Sequence, residues 1–219
     1  MGIPVLILGA SGSGKSTSLE NFSENEVLVF NVAGKPFPFQ KKLERINNAT
    51  YANIGKALNV YKDKDKTLNM QKYKKYVIDD SQYLLAFDLF DKAKEAGYGK
   101  FTDIAVRFYK MIRFVIDKMP KDVIVYFLHH SEETASGKIK AKTVGKMLDD
   151  QLTLEGLFSI VLLAETDGDK YYFVTQSDGY STCKSPKEMF RKNIKNDLKV
   201  VDTIIRKYWN LEGNNNETN

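Results

Sequence analysis

Residues 9–17 read Gly9-Ala10-Ser11-Gly12-Ser13-Gly14-Lys15-Ser16-Thr17, and the apolar run Ile3 to Leu8 leads directly into them. The stretch fits the phosphate-binding pattern GxxxxGK[ST] through Gly9, Gly14, Lys15 and Ser16. A glycine-rich turn lets successive backbone N–H groups converge on phosphate oxygens, and a helix starting directly after it adds a favourable dipole. Lys15 is expected to reach the β- and γ-phosphates of a nucleotide such as ATP, and the Ser16 hydroxyl to take one Mg²⁺ position. Ser11, Gly12, Ser13 and Thr17 belong to the same cradle. A Gly/Ser-rich loop that matches by accident is the alternative. Against it stand the strand predicted before the motif and the helix predicted over Ser16 to Phe22 after it, the setting that the motif requires.

With 219 residues, 42% of them hydrophobic, the chain can bury one substantial core, and one α/β domain over residues 1–209 is the expectation. The single Cys183 excludes an internal disulfide framework and fits a reducing compartment. The amino-terminal residues lack the basic region of a secretory signal, and the apolar run is too short to span a bilayer. Leu6 stands where a myristoylation signal needs Ser or Thr. These features predict a cytoplasmic protein with no membrane partner. The formal net charge is +5, and Lys35 to Lys75 holds eleven Lys or Arg against three Asp or Glu. Such a segment suits nucleic acid or simply a solvated lysine-rich face.

Along the chain, Val27 to Val32 reads as a second buried strand, ended by Gly34, Pro36 and Pro38. Between residues 41 and 72 a short strand is expected near Tyr51 to Ile54, with a helix after Gly55. Tyr76 to Asp80 reads as a third strand, Gln82 to Ala96 as a helix stopped by Gly97, and Thr102 to Lys118 as a second helix. The latter places Ile104, Phe108, Met111, Ile112 and Val115 on one face. Asp122 to His130 is a strongly apolar fourth strand. Leu157 to Ala164 and Tyr171 to Thr175 read as strands joined at Asp167-Gly168-Asp169, a hairpin signal. A last helix is expected over Asn196 to Trp209, followed by a disordered tail over Asn210 to Asn219. Alternating strands and helices imply a mainly parallel sheet covered on both faces, with ligands at the carboxyl ends of the strands.

Three further stretches carry chemistry. Tyr76-Val77-Ile78-Asp79 is an apolar strand ending in a carboxylate, which makes Asp79 the expected metal-side acid beside Ser16. Asp80 follows it, either orienting or deprotonating the attacking water or capping the helix that begins near Ser81. The fourth strand ends in His129 and His130, whose side chains must face opposite sides. His130, nearer the carboxyl end, is the expected γ-phosphate sensor; a zinc site or a structural histidine is the alternative. Lys138, Lys140 and Lys142 alternate before Gly145 and Lys146. If extended they share a side, where they meet a neighbouring subunit's γ-phosphate, track a nucleic-acid backbone, or form an exposed charged hairpin.

Taken in order, GASGSGKST, VIDDSQYL, YFLHHSEE and KIKAKTVGKML resemble the RecA-like P-loop ATPases encoded by bacteriophages, a group linked to single-strand annealing and recombination. The resemblance runs from Ile3 to about Trp209. It implies a RecA-like core with a C-terminal β-hairpin extension, ATP and Mg²⁺ as cofactors, homo-oligomeric rings or filaments, and nucleotide-dependent binding of single-stranded DNA in a bacterial cytoplasm. A single-strand DNA-binding protein is a further implied partner. By the same carry-over Lys138 and Lys140 act catalytically across the subunit interface, alongside Lys15, Asp80 and His130. The loop Ser131 to Asp150, with Lys140, Lys142 and Lys146, contacts DNA. One departure is evident: RecA-type enzymes carry a catalytic glutamate just after the second strand, where this chain has Asn31-Val32-Ala33-Gly34-Lys35.

Tyr98 and Phe101, beside Lys100, either stack on bases or pack against the sheet. Other functions are less well served. A nucleotide or small-molecule kinase needs a lid with clamping arginines, and the five arginines here, Arg45, Arg107, Arg113, Arg191 and Arg206, are scattered. A GTPase lacks its N-K-x-D segment. A nucleotide-gated module for helicase loading, with slow hydrolysis, remains compatible with the missing glutamate.

Overall fold

The computed structural model describes residues 1–59 and 73–211. Among these residues nine strands form one mixed α/β sheet: β1 (Ile3–Gly9), β2 (Leu28–Asn31), β3 (Glu44–Asn47), β4 (Lys75–Asp79), β5 (Ile124–Glu133), β6 (Ile139–Ala141), β7 (Ile160–Asp167), β8 (Lys170–Val174) and β9 (Asn193–Lys195). The strand order is β3-β2-β4-β5-β1-β7-β8-β9, and β6 pairs separately with β5. Strands β3 to β7 along that order run parallel, whereas β7-β8 and β8-β9 are antiparallel. The helices are α1 (Tyr51–Asn59), α2 (Gln82–Asp91), α3 (Gly99–Lys118) and α4 (Leu198–Tyr208).

Alternation along the strands divides the core. On β1, Leu6 and Leu8 face a cluster shared with Ile54 and Leu58 of α1, Leu85 of α2 and Phe108 and Ile112 of α3. Val5 and Ile7 face the other side, against Leu198, Val201 and Ile205 of α4 and Leu19 and Phe22. The sheet is therefore covered on both faces, and each fully buried Leu, Ile or Phe contributes about 1.5–3 kcal/mol. The burial of Ile104, Phe108, Met111, Ile112 and Val115 follows the helical spacing of the α3 sequence.

Three expected elements differ. The stretch Ser16 to Phe22 is not an α-helix: it forms a short 3-10 turn over Thr17–Leu19, with further i to i+3 bonds to Phe22. Its Ser-Thr-Ser start competes with the backbone, since the Ser18 hydroxyl donates to the Lys15 carbonyl. The dipole expected behind the phosphate turn is correspondingly small. Tyr51 to Ile54 is not a strand but the first turn of α1, and the edge strand lies earlier, at Glu44–Asn47. Thr50 and Asn53 cap that helix reciprocally, Thr50 N donating to Asn53 Oδ1 at 2.7 Å and Asn53 N facing Thr50 Oγ1 at 3.5 Å. The helix expected to reach Ala96 stops at Asp91, because Ala93 and Ala96 have nothing to bury against and are exposed. Strand β9 has no counterpart in the expected elements.

Part of the lysine-rich segment, residues 60–72, and the tail from residue 212 lie outside the described residues. Leu211, just before, donates its N–H to Arg206 O at 2.9 Å. Among the described residues no helix is long and apolar enough to cross a membrane. Cys183 is buried, and burial pushes its thiol up to about 11.

Candidate functional site

The parallel strands bring their carboxyl ends to one edge. There β5 lies between β1 and β4, with Gly9 paired to His130 in register and Ile78 to Phe127. The glycine-rich turn after β1, the acid at the end of β4 and the loop after β2 consequently surround a cleft of about 370 Å³. Its walls include Ser11, Gly12, Gly14, Lys15, Ser16 and Thr17 from the turn, Lys35, Pro36 and Pro38 from the β2 loop, and Asp79, Asp80, His130 and Tyr171.

Gly14 has φ +84, and a Cβ there would lie 2.6 Å from Tyr171 Cδ1, so conformation and space both require glycine. Lys15 is buried and donates to Gly9 O at 2.8 Å and Ala10 O at 2.7 Å. Burial lowers its ammonium to about 8, against the opposing pull of Asp80 and Asp79. An ammonium has three donors, so one remains for an incoming oxygen.

The Ser16 hydroxyl donates to Asp79 Oδ1 at 2.9 Å. Two hard oxygen donors, remote in sequence, thus stand side by side next to Lys15, a pairing suited to Mg²⁺, which takes few protein ligands and completes its shell with phosphate oxygens and water. The adjacent acids are pushed apart. Asp79 is raised to about 6, first by burial and then by the charge of Asp80. Burial pushes Asp80 up as well, but His130 and Lys35 outweigh it and hold the carboxyl at about 2.

Asp80 has φ +59, a left-handed conformation that costs a non-glycine residue about 1–3 kcal/mol. That backbone turn sends its carboxylate back to the cleft, where Oδ2 accepts from Lys35 Nζ at 2.8 Å and Oδ1 lies 3.2 Å from His130 Nε2. The His130 contact has the distance of an ion pair without hydrogen-bond alignment, leaving Nε2 without a bonded partner. Asp80 does not cap α2, whose first amides receive no side-chain bond from it. A carboxylate held so far below neutral pH is a weak proton acceptor and a better orienting group.

The two histidines separate as their alternation requires. His129 is fully buried, its Nε2 2.8 Å from Lys142 O and its Nδ1 2.9 Å from Ser81 Oγ. A carbonyl only accepts, so Nε2 carries the proton, and in the neutral ring Nδ1 is an acceptor that shares the single Ser81 hydroxyl proton with Leu128 O, 3.1 Å from the same Oγ. His130 instead faces the cleft, edge-on to Tyr83 with ring centroids 5.5 Å apart.

The alternating lysines lie on a hairpin formed by β5 and β6, with Ser131 opposite Ala141 and Glu133 opposite Ile139. Lys140 is engaged within the chain, bonded to Asp149 and 3.4 Å from Glu132. Lys138, Lys142 and Lys146 are exposed, and none of the four lines the cleft. Tyr98 is 87% exposed, while Phe101 packs beside Gly145 of the same region.

Lys35, Tyr171 and Asn196 escaped the sequence reading. Asn196 reaches the phosphate turn through a 3.5 Å contact of Nδ2 with Ser13 O. For Lys35 a signal existed: it follows a strand and a Gly, the place where RecA-type enzymes carry a glutamate. Among the described residues no cluster of three or more His, Cys, Asp or Glu could hold a metal ion, so the zinc alternative lacks the ligand number a zinc site needs: His130 has Asp80 beside it and no third such group. No protein-family model and no curated protein matches the sequence.

Proposed function

We propose that the chain binds Mg²⁺-ATP in this cleft and hydrolyses it, as a RecA-like P-loop ATPase that works on single-stranded DNA as a homo-oligomer. The observation that carries the reading is the Ser16 to Asp79 hydrogen bond beside Lys15, which joins the two residues expected to share a metal. The intervening β5 adds support, since it delivers His130 between the phosphate turn and the acid. Lys15 and the turn amides hold the phosphates, and Ser16 and Asp79 hold Mg²⁺, which when bound neutralises charge on the phosphate oxygens. His130 reads the terminal phosphate, and Asp80 orients the groups around the attacking water. The exposed Lys138, Lys142 and Lys146 favour contact with a neighbouring subunit or a nucleic-acid backbone.

The test is ATP turnover with and without single-stranded DNA. DNA is expected to raise the rate, Lys15→Ala to abolish it, and Lys138→Ala to suppress the stimulated component. Turnover indifferent to DNA at every ionic strength rejects the DNA assignment. Light scattering should show larger assemblies with an ATP analogue, because a ligand completed across an interface stabilises the assembled state.

A second reading, a nucleotide-gated module with slow hydrolysis, is favoured by the low pKa of Asp80 and by Lys35 following the second strand in place of an acid. Tight ATP binding with negligible turnover would select it.

A further inference from the structure

We infer that Lys35, parked on Asp80, is a sensor that distinguishes a nucleoside triphosphate from a diphosphate within the same chain. The inference rests on the phosphate-site reading above and adds a cation to it. Lys35 projects from the loop after β2 into the cleft that the phosphate turn lines, with its ammonium 2.8 Å from Asp80 Oδ2.

The loop is built to hold it there. Gly34 has φ +68, and a Cβ at that position would lie 2.2 Å from Asn48 Oδ1. The buried Asn31 donates Nδ2 to Lys35 O at 2.7 Å and contacts Asn47 Oδ1 at 3.0 Å. The Lys35 ammonium also sits 5.1 Å from the centre of the Tyr83 ring, the ring that His130 meets edge-on. The Lys35 backbone is thereby fixed, while its side chain stays 57% exposed and able to swing.

Asp80 supplies the competing anion. Its carboxylate faces both Lys35 and His130, the two groups that a terminal phosphate oxygen would seek. A triphosphate offers a stronger, multiply charged acceptor and draws Lys35 off Asp80; a diphosphate, ending nearer the turn, leaves the pair closed. Lys140 does not serve this purpose in the same chain, being committed to Asp149 and Glu132.

The experiment measures binding of Mg²⁺ with a non-hydrolysable ATP analogue and with ADP, by calorimetry, for the wild-type chain and for Lys35→Ala, Lys35→Arg and Lys15→Ala. Loss of one charge-assisted contact in Lys35→Ala is expected to weaken the analogue roughly tenfold or more while ADP affinity moves by less than about twofold. Lys35→Arg should restore most of the preference. Because the side chain is largely exposed, circular dichroism should match the wild type. An unchanged analogue-to-ADP ratio in Lys35→Ala, with Lys15→Ala losing both ligands, overturns the sensor and leaves the phosphate site standing. A wild-type chain that binds neither nucleotide overturns both.

Discussion

His129 carries a titration set by its burial. Burial lowers its imidazole from 6.5 to about 4, so the fold holds it neutral between Ser81 and Lys142. The folded value lies below the unfolded one, so on acidification the unfolded chain takes up the proton first, and stability falls as pH drops from about 6.5 towards 4. For a fully buried group the loss is expected to be roughly 1–3 kcal/mol. Asp79, raised to about 6, works in the opposite direction below that pH. The decisive measurement is therefore the difference between wild type and His129→Gln in urea unfolding from pH 7 to pH 5, where the variant should show the shallower acid loss. Parallel pH profiles would contradict the neutral buried role. Lys15, Ser16 and Asp79 were legible in the sequence because motif spacing and an acid-ended strand specify them locally. Asn196 and Tyr171 were not, since only tertiary folding carries them to the phosphate turn, and neither belongs to a local pattern.

At the scale of elements, the apolar strands and α3 were readable from periodicity, whereas short polar elements were not. The turn after the Gly-rich loop illustrates why: its expected helical pattern is overridden by the Ser18 hydroxyl, which donates to the Lys15 carbonyl, and by a chain that must turn into β2. Helix α1 was misplaced because its capping pair, Thr50 and Asn53, lies in a segment with little apolar periodicity. A two-amide cap stands at the start of α4, at Asp197. Its Oδ1 accepts from Lys199 N at 3.0 Å and Val200 N at 3.3 Å, and its Oδ2 accepts from Asn21 Nδ2 at 2.7 Å. Asp197 thus caps one element and ties it to the segment behind the phosphate turn. Asp197→Ala is expected to lower stability by about 1–2 kcal/mol, the range for a lost cap, with Asp197→Asn retaining most of it. Chemical denaturation of both variants checks this, and equal losses in the two would show that charge rather than capping matters there.

Across the described residues, the candidate site and the buried polar network around Asp202 sit at opposite ends of the sheet. The cleft occupies the carboxyl ends of β1, β4 and β5, where a strained Asp80, a raised Asp79 and a desolvated Lys15 all cost stability. At the amino ends of β4 and β5, Arg206 of α4 donates to Asp202 Oδ2 at 2.8 Å, to Asp122 O at 3.0 Å and to Lys74 O at 3.1 Å. Asp202 also accepts from Tyr126 OH at 3.0 Å and lies 3.4 Å from Lys75 Nζ, which bonds Glu26 at 2.9 Å. This network fastens α4 to the strands whose far ends carry the site. Removing one member of a buried pair leaves the other charge uncompensated, so Asp202→Ala is expected to cost about 3–5 kcal/mol. Because the network lies at the amino ends, nucleotide affinity of the folded variant should stay within about twofold of wild type, a change of under roughly 0.5 kcal/mol. Urea unfolding and calorimetric titration on the same preparation test both halves. A stability loss below about 1 kcal/mol would mean that water replaces the carboxylate as acceptor, and a large affinity loss would mean that the two ends of the sheet are coupled through β4 and β5.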